Sequence, residues 1–393
     1  MIEKFSIDFG GLAVVAAGSR FTGADGVREY HFALQPTQYA DAATQLLWLA
    51  DAYRIALETF GLDANSSVFR RWHCSDIANQ AALLKSQDIS NRWNADEPCA
   101  VSWVGQPPVP PAKLALWAYH IHDPEDPLDK RMADCTLSLR RGALTHHWMT
   151  GLSAPGDASS DVQTRAVFER YGEWLVGRRL SLADHVLRTW LFVQDVDMNY
   201  GGLVTARRQF FAEHGLTRET HFIASTGVEG RSAETGAKVT MDAYAIQGVT
   251  REQIHQLSAL EHLSPTHVYG VTFERGTAIS YGDRTQILLS GTASIDDRGN
   301  IVYPGDVRRQ LDRTIENMEA LLQHGGASLQ DLAAMTVYVR DAADMDSARR
   351  WMHAAFGDVP TIVTCAPVCR PGWLIEVEGI AVMRVSHAHL PSF

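Results

Sequence analysis

The chain has 393 residues, with 35 Lys plus Arg against 46 Asp plus Glu and a formal charge of −11. At 46% hydrophobic and 21% charged residues it is ordinary globular material, long enough for two to four domains. Basic residues cluster no further than pairs such as Arg70-Arg71 and Arg207-Arg208, so nucleic acid is not an expected partner. No apolar run approaches the roughly 18 residues of a membrane span, so none is expected there either. The opening Met1-Ile2-Glu3-Lys4 lacks the basic and apolar segments of a secretory leader. Cys74, Cys99, Cys135, Cys365 and Cys369 are scattered and odd in number, which suits free thiols and a cytoplasmic location.

Taken in chain order, the predicted elements repeat. Gln45 opens the helix LLWLADAYRIALETF, Gly61 ends it, and Val68 to Asp76 reads as a strand. Cys99 to Ile121 then holds two strand-like runs, and the charged, Pro-containing stretch Asp123 to Asp129 reads as a linker. Gln163 opens a second such helix through Trp174-Leu175, Leu187 to Asp195 is its strand, and a further helix runs from Arg207 to His214. Phe222 to Ile246 supplies two more strands before a boundary near Gly248 to Ser264. Gln310 opens the third helix, with Leu311, Ile315, Met318, Leu321 and Leu322 on one face. The strand Met335 to Asp341, a helix through Phe356, and the strands within Ile362 to Val382 follow.

Helix-opening Gln and strand-ending Asp are 31, 32 and 31 residues apart in the three copies (Gln45 to Asp76, Gln163 to Asp195, Gln310 to Asp341). The spacing predicts three tandem units, over residues 1–123, 130–250 and 265–386. Each is an α/β unit of order β-β-α-β-α-β-β, with helices on one face of a mixed sheet. Bringing the uncovered sheet faces together gives a covalent pseudo-trimer, as a monomer or a homo-oligomer of it.

The final strands are LALWAYHI (114–121), VTMDAYAI (239–246) and IEVEGIAV (375–382). At the second position Glu376 stands where the earlier copies have Ala115 and Thr240, so acid–base chemistry is expected in one cleft of three. Glu376 and Glu378 share a strand face, and two like charges there raise at least one proton affinity. Arg370, beside Pro371-Gly372, offers a planar fork to a substrate carboxylate. Ser225, Thr226 and Gly227 supply hydroxyls and backbone donors, and Tyr338 and Arg340 share a strand face that could line the same cleft. Against these stand plain structural roles: Arg370 as the ion-pair partner of Glu376, and Arg340 on a solvated edge. The spacings of His120, His122 and Asp123 and of His146-His147 do not make a metal site, and no dinucleotide or Walker loop occurs. Neither cofactor nor metal is expected.

The segments LLSGTASID (288–296), PGDVRRQ (304–310), TVYVRD (336–341) and LIEVEGIAV (374–382) resemble the RidA (YjgF) family. That resemblance implies small-molecule sites in clefts between like units. Arg188-Thr189-Trp190, Ser225 to Val228 and the pair Arg370 and Glu376 look most like the chorismatases, three-unit relatives that remove pyruvate from chorismate. The resemblance implies hydrolysis or elimination of a side group from a small unsaturated carboxylate, with Glu376 as acid or base and Arg370 as anchor. Enamine or imine deamination and metabolite binding without turnover are the alternatives. Two departures stand out. Phe210-Phe211-Ala212-Glu213-His214 replaces the chorismatases' Phe-Cys-x-Gly-Arg, and Ile362 stands where simple deaminases carry a substrate-binding Arg.

Overall fold

A computed structural model describes residues 2–86 and 98–393. Three six-stranded mixed sheets follow one another along the chain. The first holds β1 (Glu3–Ile7), β2 (Val14–Thr22), β3 (Arg28–Pro36), β4 (Ser67–Cys74), β5 (Ala100–Gly105) and β6 (Leu114–His122), ordered β1-β2-β3-β6-β4-β5. The second holds β7 (Asp129–Ala133), β8 (Thr136–Arg141), β9 (Leu144–Ser153), β10 (Val186–Val193), β11 (Ala224–Glu229) and β12 (Val239–Gln247), ordered β11-β10-β12-β9-β8-β7. The third holds β13 (Ile254–Gln256), β14 (Gly276–Ser280), β15 (Arg284–Ala293), β16 (Leu332–Val339), β17 (Thr361–Cys365) and β18 (Ile375–Arg384), ordered β13-β14-β15-β18-β16-β17. The strand order is the same in all three, and each sheet carries one edge strand more than the sequence pattern indicates (β1, β7 and β13). These edges are short and polar, so alternation of apolar residues does not mark them.

Helices α1 (Ala42–Phe60) and α2 (Ile77–Ser86), α3 (Ser160–Val176) and α4 (Val196–Glu213), and α5 (Val307–His324) and α6 (Met345–Phe356) belong to the first, second and third sheets in turn. The repeated glutamine has one job in each unit. Gln45 Nε2 donates to the carbonyls of Gln38 and Pro111, while its Oε1 accepts from the Lys113 backbone. Gln163 bonds the carbonyls of Gly156 and Gly236 and accepts from Lys238 N, and Gln310 bonds those of Tyr303 and Gly372 and accepts from Leu374 N. Each buried amide thus ties the start of a helix to the turn that launches the last strand. Gln310→Ala strands three backbone groups, and chemical denaturation is expected to register a loss of about 1–3 kcal/mol.

The sheets meet through their helix-free faces. Phe69 and Trp117 of the first, Trp148, Trp190 and Tyr244 of the second, and Leu288 of the third share one buried core. Backbone bridges join every pair of units: Gly105 with Arg231, Val228 with Val368, and Pro108 with Thr364. Corresponding strand ends supply them, so each unit contacts both others in the same sense.

Candidate active site

Between the second and third units a cavity of about 280 Å³ opens beside Glu376. Its walls come from α4 (Tyr200, Val204, Arg207, Arg208), β11 (Ser225, Gly227), the segment before β14 (Gly270, Val271, Phe273, Arg275), β15 (Gly291, Ala293) and the turn before β18 (Cys369, Arg370, Trp373). Sheet pairing across the boundary fixes this wall. Ala224 bridges Glu274, Ser225 N donates to Ser290 Oγ at 2.9 Å, and Glu274 N donates to the Ile223 carbonyl.

Glu376 is 4% exposed, and no hydrogen-bond donor among the described residues reaches its carboxyl group. Burial, then the neighbouring Glu378, raises its pKa to about 8 against the pull of Arg275 and Arg188. Its side chain lies flat on Gly291, where an added Cβ would stand 1.8 Å from Oε1. Glycine is therefore the residue that makes room for the acid. Gly291→Ala is expected to push the carboxyl from its seat and lower kcat by about 100-fold while the protein still melts cooperatively.

Arg370 lines the same cavity, its guanidinium 5.1 Å from the Trp373 ring. Ser225 and Gly227 line it as well. Thr226 does not. The three lie in an extended strand, so Thr226 points to the opposite side and donates to Glu378 Oε2. Tyr338 also leaves the cavity and donates to Glu378 Oε1 at 2.9 Å. Arg340 pairs with Asp197 and donates to the Val368 carbonyl, away from Glu376. The histidines of the two weak metal patterns are engaged elsewhere, His120 with Ser66 and Tyr53 and His146 with Tyr244.

Sequence reasoning missed Arg207. It is 1% exposed and lines the cavity, and its Nε and Nη2 have no hydrogen-bond partner among the described residues. Two unsatisfied donors on a buried cation are costly unless something anionic enters. Tyr200, seven residues earlier on the same helix face, packs its ring on Gly227 and interacts with Arg207 and Cys369. Arg207 lies two turns before His214, which stacks on Phe210 with ring centroids 4.0 Å apart. Burial, then Glu376, pushes the Cys369 thiol up to about 12, so it is uncharged. Within the described residues no cluster of His, Cys, Asp and Glu suits a metal ion, and no helix is long and apolar enough to cross a membrane.

Fold and cavity define a class: an α/β protein of three like units with a small-molecule cleft between two of them. Residues 277–383 match the family model described as Endoribonuclease L-PSP. A RutC family protein of Pyrococcus abyssi is 34% identical over 97 residues, covering 24% of this chain and 76% of the relative. The chain belongs to this family, RidA (YjgF). A chorismatase of Streptomyces hygroscopicus is 28% identical over 214 residues, 49% of this chain and 60% of the relative, so the alignment spans less than two thirds of that enzyme. A solved chorismatase structure superposes with a TM-score of 0.59 at 19% identity, covering 81% of this chain and 93% of the other. At that identity the likeness is one of fold, and it extends across all three units.

Proposed function

We propose that the protein is an enzyme that removes a side group from a small unsaturated carboxylate of chorismate type, by hydrolysis or elimination. One observation carries the reading: a buried carboxyl group, protonated at neutral pH, faces a cavity whose other charged groups are guanidiniums. A neutral acid has a proton to give, and the arginines have charge to offer an anion. Arg207 and Arg370 hold substrate carboxylates, and the forked donors of Arg207 take one of them in the plane. Glu376 delivers its proton to the double bond of an enol ether. The resulting cation takes up water and collapses to a keto acid and an alcohol, and the proton released from that water returns to Glu376. Ser225 and the backbone around Gly227 steady the charge that develops.

Arg207→Met keeps the length of the side chain and removes the charge. It is expected to raise KM for the acid by about 10- to 100-fold, in line with the loss of charge-assisted hydrogen bonds. The same reading takes residues 1–123, 130–250 and 265–386 as a trimer made covalent, with its working cleft between the last two. Purified protein incubated with chorismate tests the reaction, with absorbance loss and product masses as readouts. Pyruvate release supports it. Turnover of enamines or imines without pyruvate release from chorismate moves the chemistry to deamination. Binding without turnover of either reduces the cavity to a metabolite receptor.

A further inference from the structure

We infer that Glu378 is a positioning residue for this site: a carboxylate fixed in its charged form at the meeting point of the three units, which keeps its strand neighbour Glu376 protonated. The inference rests on the reading of Glu376 as a proton donor and supplies what that reading needs. A carboxyl group beside several guanidiniums would ordinarily surrender its proton. Arg207 and Arg208 face the cavity from α4, Arg275 from the segment before β14 and Arg370 from the turn before β18, and Arg188 of β10 pulls on the same proton. Tyr200 and Cys369 add no charge there. Burial opposes the cations most, and a like charge nearby adds to it.

Glu378 is the opposing charge. It lies two residues along β18, on the same face as Glu376, and is 6% exposed. Four donors converge on its two oxygens: Arg188 Nη2 at 2.6 Å, Thr226 Oγ1 at 2.5 Å, Tyr338 Oη at 2.9 Å and Trp190 Nε1 at 3.1 Å. Arg71, from the first unit, adds a second guanidinium at 3.8 Å. A carboxylate accepts and cannot donate, so this ring of donors fits the charged form. Glu376 receives none of these bonds. Two glutamates on one strand are thus sorted by their surroundings, one saturated with donors and one deprived of them. Thr226 and Tyr338, set away from the cavity, act at one remove through Glu378.

The test needs no substrate. Infrared difference spectra of the whole protein are recorded across a pH series for wild type, Glu376→Gln and Glu378→Gln. Wild type is expected to show a protonated-carboxyl stretch near neutral pH that Glu376→Gln abolishes. In Glu378→Gln that stretch should disappear at a pH lower by about one unit or more. A stretch that persists in Glu376→Gln, or a midpoint in Glu378→Gln that stays put or rises, overturns the inference. Should Glu378→Gln fail to fold, the wild-type and Glu376→Gln spectra still decide which of the two carboxyls holds the proton. The titration stands whether or not chorismate is turned over, so turnover with an unmoved midpoint would sink this inference alone.

Discussion

Glu376→Gln should lower kcat by about 10²–10⁴-fold with KM little changed, because the amide keeps the shape of the acid and has no acidic proton. The pH profile gives a second check. With the folded-state pKa raised to about 8, the proton-donating form fills the site at neutral pH, and kcat should fall as pH rises through that value. In the variant the residual rate should lose this limb. Stability follows the same sign. Folded protein keeps a proton on Glu376 that unfolded chain has already lost, so wild type weakens as pH climbs from the unfolded value near 4.5 toward the folded one. Comparing the two proteins by chemical denaturation at about pH 5 and about pH 9 should show the variant gaining on wild type, by a few kcal/mol at the alkaline end.

The second large effect is on folding. Arg71 reaches from β4 between Asp242 of the second unit, at 2.8 Å, and Glu378 of the third, and its guanidinium lies 4.8 Å from the Trp190 ring centroid. Asp242 in turn accepts from Ser102 Oγ and from the Gly151 backbone. Arg71→Met leaves both carboxylates buried with one cation fewer and should cost about 3–5 kcal/mol by denaturant titration. Arg71→Met combined with Asp242→Leu removes the pair together and should recover part of that loss, since a pair deleted whole leaves less charge stranded. A cost for Arg71→Met within experimental error of zero would mean that the three units do not depend on this contact.

How far the sequence could be read depended on whether a residue's role was local. The glutamines Gln45, Gln163 and Gln310 recur at near-constant spacing because each closes a turn within its own unit, so repetition exposes them. Glu376 stood out by the same comparison, as the odd residue among three equivalent strands. The far wall was harder. Arg207 and Tyr200 lie on a helix whose pattern reads as ordinary packing, and Cys369 and Phe273, which they meet across the cleft, belong to another unit. Arg275 and Phe273 fall inside the expected third unit, just past its boundary at Gly248 to Ser264, where no repeated motif marks them as wall. Ser225, Thr226 and Gly227 are grouped by the sequence as donors to one cleft. Once they are a strand, alternation sends the middle residue to the other side, and sequence alone does not say which side is the cavity.

Strand register places Arg71, Trp190 and Thr336 at corresponding points of the three units, opposite Trp117, Asp242 and Glu378. In an assembly of three identical subunits, one arginine at that point would mean three, crowded together and repelling one another in a dry interior. Joining the units in one chain frees each position to mutate by itself. A cation, an indole and a hydroxyl can then take the three equivalent positions, and a polar junction that perfect symmetry forbids becomes available to evolution.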